Sequence, residues 1–158
     1  MELFANTPLW AALFGIFFAQ FVKIPIYYLI GGKWDWDLFT STGGMPSSHS
    51  AAVTALTTAV AFEEGIGSTL FAVSAIFAVI VMFDATGVRF QAGQQAIIIN
   101  QLRNDFTSFV NQSKDWAHKK NEEKIEELKT LLGHKPSEVF MGAITGILIS
   151  VILYVFIL

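Results

Sequence analysis

Residues 8–30 read PLWAALFGIFFAQFVKIPIYYLI, and this stretch decides the class of fold. It is mostly apolar and long enough to cross the roughly 30 Å of hydrocarbon in a bilayer as one helix. The flank before it carries Glu2 and no basic residue, and no A-x-A cleavage site follows it, so a removable signal peptide is not indicated. The sequence therefore predicts an integral membrane protein.

The composition of the whole chain supports the same class. Hydrophobic residues make up 53% and charged residues 15% of the 158 residues, with a mean hydropathy of +0.53, whereas soluble domains carry about 25% charged residues. A soluble chain this small could not hide so much apolar surface, which excludes a cytosolic enzyme and a disordered tail. The net charge of −3 argues against nucleic-acid binding, and the lack of cysteine excludes disulfides, thiolate zinc sites and thiol nucleophiles.

The distribution of apolar residues predicts an all-α helical bundle in a single domain, residues 1–158. We expect about four transmembrane helices, at residues 8–30, 46–62, 68–89 and 137–158. The second is short and rich in small residues, which suits close packing against neighbouring helices.

Residues 90–136 have a different composition and predict a cytoplasmic insertion. Residues 122–132, EEKIEELKTLL, would place Ile125, Leu128 and neighbouring leucines on one side of a helix, which indicates an amphipathic helical hairpin. Such a hairpin faces water or packs on a partner subunit, so we assign its charges, and His118 within it, no catalytic role. A homodimer stays open as the assembly, because four short spans enclose little interior volume.

The basic residues predict the orientation in a plasma membrane. Lys33 follows the first span, accompanied by Asp35 and Asp37, and the 90–136 insertion carries seven lysines and arginines. Loops rich in these residues stay on the cytoplasmic side. We therefore expect both termini outside.

Polar residues gather at this cytoplasmic edge of the predicted bundle. Residues 43–50 read GGMPSSHS and residues 133–139 read GHKPSEV, each with a proline where a helix would begin. Two helix N-termini with free N–H groups at one aqueous boundary favour anion binding. Lys23, Asp84 and Arg89 reach the same edge from the first and third spans.

This set of residue types suits phosphoryl transfer. Cations and helix N-termini can hold a phosphate dianion, one imidazole can attack phosphorus, and a second can protonate the leaving oxygen. His134 with Glu138 four residues on fits a nucleophile and the carboxylate that orients it, and His49 fits the acid.

Each of these residues also has an ordinary interpretation. The two histidines could simply lie at helix starts, Lys23 could extend to the membrane interface, and Arg89 could anchor the cytoplasmic side with Asp84 as its partner. The convergence of four spans on one face favours a site.

At these residues the chain resembles the type 2 phosphatidic acid phosphatase superfamily, which includes lipid phosphatases and vanadium haloperoxidases, and most of all its small divergent PAP2 branch. Pro46-Ser47-Ser48-His49 stands for the superfamily's P-S-G-H motif. His134-Lys135-Pro136-Ser137-Glu138 is similar to the end of its S-R-x5-H-x3-D motif, with Arg89 as the candidate arginine and Lys23 as the candidate lysine of the first motif.

The resemblance implies a membrane lipid-phosphate or polyprenyl diphosphate phosphatase that needs no cofactor and no metal. It implies His134 as the phosphohistidine, His49 as the general acid and Glu138 as the orienting carboxylate. The implied phosphate-binding residues are Lys23, Ser47, Ser48 and Arg89, with Asp84 in support.

The chain departs from the superfamily pattern at several points. Lys23 lacks the following Arg-Pro, Ser48 replaces a glycine, Glu138 replaces an aspartate, and residues 90–133 separate Arg89 from His134. Two other functions therefore stay open: an anion site that binds a lipid phosphate without hydrolysing it, and a structural or assembly protein. A haloperoxidase is disfavoured because those members are soluble and larger.

Overall fold

The computed structural model describes residues 2–31, 34, 36–41, 43–113 and 133–157, which are almost entirely helical. The α-helices in chain order are α1 Thr7–Gly31, α2 Ser48–Glu64, α3 Thr69–Thr86, α4 Val88–Ser113 and α5 Pro136–Ile152. Short 3-10 helices cover Glu2–Ala5 and Trp36–Thr40, and a π-helical turn, Leu153–Ile157, extends α5. The predicted all-α class is confirmed.

Three helical stretches of the described chain are long and apolar enough to cross a membrane, namely Thr7–Gly31, Thr69–Val110 and Pro136–Ile157. The remaining predicted stretch forms α2, whose 17 residues give a length of about 25 Å, at the short end for a spanning helix. An all-α membrane bundle of three long apolar helices and the shorter α2 therefore accounts for the four predicted stretches.

α2 is the central helix of the bundle, because it packs against α1, α3 and α5. Its buried face consists of small side chains, and Ala51, Ala55 and Ala59 are fully buried. Lipid tails are as apolar as leucine, so helices in a membrane associate through close van der Waals contact, and small residues permit that contact. Large side chains such as Phe17 and Phe83 lie on the outside instead.

α2 and α5 pack closely against each other, and two glycines of α5 permit this close contact. A Cβ atom at Gly142 would overlap the carbonyl oxygen of Ser47, and one at Gly146 would overlap the carbonyl oxygen of Ala51. A larger residue at either position would push the helices apart. The glycines thus keep the first turn of α2 beside the first turns of α5.

The same helix pair is joined by a hydrogen bond from Ser150, whose hydroxyl donates to the carbonyl oxygen of Ala55 at 2.7 Å. We expect Ser150→Ala to lower the free energy of unfolding by about 0.6 kcal/mol, since interhelical hydrogen bonds in membranes average near that value. Denaturant titration in micelles measures this. Thr145→Ala is the control, because Thr145 donates within α5, to Met141. An equal effect of both variants would contradict an interhelical role.

α4 continues α3 after a break at Gly87, so the helix extends beyond residue 89, where the sequence predicts the end of the third span. The N–H of Gly87 donates to the carbonyl oxygen of Phe83 at 2.8 Å, and the helix resumes at Val88. Together the two helices form a stretch of 42 residues, about twice the roughly 20 that one crossing needs. The change in composition after residue 89 predicted a separate helical insertion, because composition alone does not show that a helix continues from the span.

Several predictions concern residues outside the described ranges. The amphipathic helix at residues 122–132, His118, Lys33 and Asp35 all fall there. Of the predicted helical hairpin, only the first arm, α4, lies in the described part of the chain.

Candidate active site

His134 lies in the short connection between the 114–132 segment and α5, and two backbone features hold it. Gly133 adopts a φ of +82°, which favours glycine, and a Cβ there would overlap the backbone of Phe90 at the start of α4. The N–H of His134 donates to the carbonyl oxygen of Ala85 near the end of α3 at 3.0 Å. His134 is thereby fixed between α3 and α5, with its side chain 1% exposed.

Glu138 holds one ring nitrogen of His134. Its Oε2 lies 3.2 Å from Nδ1 of His134, and the same oxygen accepts the N–H of Lys135 at 3.1 Å. A carboxylate at Nδ1 keeps the ring proton on that nitrogen and leaves a lone pair on Nε2. Nε2 of His134 is buried and has no hydrogen-bond partner within the described residues. The arrangement suits a nucleophile or a base.

His49 stands beside His134, in the first turn of α2. The ring centroids are 5.8 Å apart, with the rings edge to face at 61°, and His49 is exposed at the bundle surface. The two imidazoles, from helix starts 85 positions apart in the chain, are therefore direct neighbours in the fold.

The N-termini of α2 and α5 are joined by a backbone hydrogen bond. The N–H of Ser47, the cap residue of α2, donates to the carbonyl oxygen of Glu138 at 2.9 Å, and the hydroxyl of Ser47 accepts the N–H of Ser50 at 3.3 Å. Ser47 and Ser48 are both buried. Two positive helix ends therefore meet at the histidines, which favours an anion there.

Lys23 brings a cation to this region from α1. Its side chain is 2% exposed, and Nζ donates to the carbonyl oxygen of Ser41 at 3.3 Å. The charge of Lys23 acts on both Glu138 and His49. A cavity of about 470 Å³ adjoins it, lined also by Glu138.

Arg89 is placed differently from the other predicted residues. Its Nε forms an ion pair with Oδ2 of Asp84 at 2.5 Å, and both side chains are about half exposed. The charges of Arg89 and Asp84 act on the His49 ring, so the pair lies at the edge of the site. The structure thus brings together His49, His134, Glu138, the two serines and Lys23, and leaves the guanidinium of Arg89 at the rim.

Gln20 is a residue at the site that the sequence interpretation did not select. It lines a cavity with Ser48 and His49, and its Nε2 donates to the carbonyl oxygen of Ser41 at 3.4 Å. An amide side chain is uncommon within an apolar membrane span, and this feature of the sequence could have indicated Gln20 as a candidate site residue. Within the described ranges, no three His, Asp or Glu side chains gather into a group suited to a metal ion.

Comparisons with known proteins found one matching family model and a close relative. A family model described as "Divergent PAP2 family" matches residues 4–149. An "Uncharacterized membrane protein YuiD" from Bacillus subtilis (strain 168) is 60% identical over 156 residues, which cover 99% of each chain. No solved structure matches the chain.

Proposed function

The chain belongs to the divergent PAP2 family, and from this membership and the geometry of its histidines we propose that it is a membrane phosphatase of lipid phosphates. The observation that carries the proposal is the state of His134: Nδ1 faces the carboxylate of Glu138, while the buried Nε2 has no partner among the described residues. Such a nitrogen is a ready nucleophile toward phosphorus.

In the first step, Nε2 of His134 forms a bond to phosphorus as the ester oxygen–phosphorus bond breaks. His49, protonated, gives its proton to the leaving oxygen, and Glu138 stabilises the positive charge that develops on the His134 ring. In the second step, water attacks the phosphohistidine, His49 takes a proton from that water, and the nitrogen–phosphorus bond breaks. Phosphate leaves and His134 regains its lone pair.

Cations and donors around the histidines would hold the phosphoryl oxygens. We assign this role to Lys23, Ser47, Ser48 and Arg89, supported by the N-termini of α2 and α5, with Asp84 positioning Arg89. Because Nε2 is covered, phosphate entry requires a side-chain movement, and the exposed His49 ring is the group that we expect to turn.

The substrate is proposed to be a lipid because the site lies at the end of a bundle whose outer surface is apolar. A headgroup can then reach the histidines while its tail stays in the bilayer. The basic residues of the 90–136 insertion favour the cytoplasmic side for this site, with both termini outside.

Phosphate release from phosphatidate and from a polyprenyl diphosphate by the purified protein tests the proposal. We expect release, and inhibition by orthovanadate, which mimics the transferring phosphoryl group. Absence of release from either lipid would contradict phosphatase activity.

A second candidate function is lipid-phosphate binding without hydrolysis, and the pairing of Arg89 with Asp84 favours it. In this arrangement the guanidinium is engaged outside the histidine pair. Tight vanadate or phosphate binding with no hydrolysis would select this function over the first.

Glu138 offers a prediction specific to the phosphatase mechanism. Glu138→Gln keeps the size and one acceptor but removes the charge that stabilises the imidazolium, so we expect kcat to fall about 10²-fold or more, as for orienting carboxylates in other triads. Glu138→Asp should retain more activity than Glu138→Gln, because it keeps the charge. Equal activity of the two variants in a phosphate-release assay would contradict the role.

A further inference from the structure

Two side-chain atoms in the described part of the chain are buried without a hydrogen-bond partner there, Nε2 of His134 and Oε1 of Gln20. Buried polar atoms are nearly always paired, so each exception needs an explanation. The proposed mechanism uses Nε2 of His134 as the nucleophile and leaves Gln20 without a role. The amide oxygen of Gln20 can only accept a hydrogen bond, so its missing partner is a donor.

The orientation of the Gln20 amide follows from its neighbour Ser41. Nε2 of Gln20 donates to the carbonyl oxygen of Ser41 at 3.4 Å, and the reversed amide would place two acceptor oxygens against each other. Nζ of Lys23, one turn further along α1, donates to the same carbonyl oxygen at 3.3 Å. The nitrogen of the amide is therefore engaged, and Oε1 is the atom available to a ligand.

Gln20 and His49 line the same cavity, which has a volume of about 420 Å³. It lies on α2 between α1 and α3, and because both of these helices pack against α2, it is a groove with α2 as its floor. Its polar side chains are Gln20, Thr40, Ser41, Ser48 and His49, and the rest of the lining is apolar. Ile16 and Val53 lie one helical turn deeper than Gln20 and His49, so the polar groups gather at the end that the candidate site borders.

The hydroxyl groups at this end are engaged differently from Oε1 of Gln20. The Thr40 hydroxyl donates to the carbonyl oxygen of Asp37 at 3.1 Å, and the Ser41 hydroxyl donates to that of Gly43 at 3.0 Å. A hydroxyl can both donate and accept, whereas an amide oxygen only accepts. An ionised phosphoryl oxygen or an apolar chain therefore cannot satisfy Oε1 of Gln20, and a molecule with an O–H group can.

The second step of the proposed mechanism brings such a molecule to this place. The attacking water and the earlier leaving oxygen occupy the same side of phosphorus, opposite Nε2 of His134, because each displacement proceeds in line. His49 protonates the leaving oxygen and takes a proton from the water, so both lie within hydrogen-bond distance of its ring. Since His49 lines the groove together with Gln20, we expect the water to attack from the polar end of the groove.

The hydrogen bonds of the attacking water indicate what Gln20 supplies. A lone pair of the water points to phosphorus, and one of its O–H groups points to His49. The second O–H requires another acceptor, because an ordered water in a buried site usually has about three polar partners. Oε1 of Gln20 is such an acceptor, buried at the same end of the groove.

We propose that Gln20 positions the water that hydrolyses the phosphohistidine, with Oε1 accepting the second O–H of that water while His49 takes the first proton. This inference rests on the proposed phosphatase function. As the oxygen–phosphorus bond forms, the nitrogen–phosphorus bond breaks and its electron pair returns to Nε2 of His134. Gln20 is thus a positioning residue of the second step alone.

Competition between water and methanol for the phosphohistidine tests the inference in the purified protein, with p-nitrophenyl phosphate as substrate. Attack by water gives inorganic phosphate, and attack by methanol gives methyl phosphate. The single O–H of methanol points to His49, so methanol needs no acceptor at Gln20. We expect Gln20→Leu to raise the ratio of methyl phosphate to phosphate about 10-fold, the effect of losing one hydrogen bond near the upper end of the usual range.

The first step should be unaffected in the same variant. Release of p-nitrophenol in the first turnover should stay within about twofold of the wild-type rate, while the share of protein present as phosphohistidine during turnover rises. Gln101→Leu is the control, because it makes the same substitution at an exposed glutamine of α4 outside the groove. It should keep the wild-type product ratio and the wild-type level of phosphohistidine.

Gln20→Met controls for the branched shape of leucine, and it should raise the product ratio as Gln20→Leu does. The inference is overturned by a wild-type product ratio in both variants. It is also overturned by loss of first-turnover p-nitrophenol release in both, because Gln20 would then serve the fold or the first step. An inactive wild-type protein contradicts the phosphatase function itself, whereas an active wild-type protein whose Gln20 variants keep its product ratio contradicts the role of Gln20 alone.

Discussion

Replacement of His134 by alanine is expected to reduce phosphate release by about 10³-fold or more in kcat, because removal of a covalent nucleophile has at least that effect in comparable enzymes. The residue is buried and accepts no hydrogen bond at Nε2 from the described residues, so its loss removes the attacking atom. Phosphate release from the preferred lipid phosphate, measured under saturating substrate, gives the ratio directly.

His49→Ala is the matched comparison, since both imidazoles come from helix starts and lie 5.8 Å apart. A general acid contributes about 10²- to 10⁴-fold with a poor leaving group and much less with a good one. The His49 variant should therefore release p-nitrophenol in the first turnover nearly as fast as the wild-type protein, although later turnovers slow because His49 also activates the water of the second step, while the His134 variant loses both phases. The same substrate profile for both variants would contradict the assignment of roles.

The second large effect is expected at Gly146, far from the chemistry. A side chain there would overlap the backbone of Ala51 and the hydroxyl of Thr54 on α2. Gly146→Leu should lower the free energy of unfolding by about 3 kcal/mol, the upper end for overpacking a tight interface. It should also abolish phosphate release, because separation of α2 and α5 separates His49 from His134.

Gly67→Leu is the control for this prediction. A Cβ at Gly67 meets no atom within 4 Å, so its replacement should leave both unfolding and activity near the wild-type values. A Gly146→Leu protein with wild-type stability in denaturant titration would show that close contact between α2 and α5 does not hold the bundle together.

The parts of the account that the sequence predicted are local. Pro136 in the first turn of α5 and a glutamate four residues after a histidine are patterns within one helix start, and the structure places Nδ1 of His134 3.2 Å from Glu138. The same prediction was wrong for Pro46, which precedes the cap residue Ser47 and lies outside α2. Long apolar runs likewise predict the spans because length and hydropathy are read directly from consecutive residues.

The parts that the sequence did not predict depend on distant segments. The groove beside His49 is formed by three helices, and Gln20 becomes notable only when Ser41 engages its amide nitrogen. The roles of Gly142 and Gly146 follow from which helix lies opposite α5, and spacing alone does not identify that partner. The direct continuation of α3 into α4 was not predicted, because the change in composition after Arg89 was interpreted as the end of the span and the start of a separate helical insertion.

Arg89 shows how one residue can be located correctly along the chain and still be ambiguous in function. Its position at the bundle edge and its ion pair with Asp84 fit a membrane-interface anchor as well as a phosphate ligand. The electrostatic effect of Arg89 on His49 supports the second role. Assays of lipid-phosphate hydrolysis and of phosphate binding by the purified protein distinguish these two roles of Arg89.

Trapping of the covalent intermediate tests the central claim most directly. The purified protein is mixed with a lipid phosphate carrying a radiolabelled phosphoryl group, quenched in alkali, in which phosphohistidine survives, and digested to locate the label. We predict label on His134 in the wild-type protein and none in His134→Ala. A wild-type protein that releases phosphate with no label on His134, or a His134→Ala protein that carries the same label, would contradict the phosphohistidine mechanism.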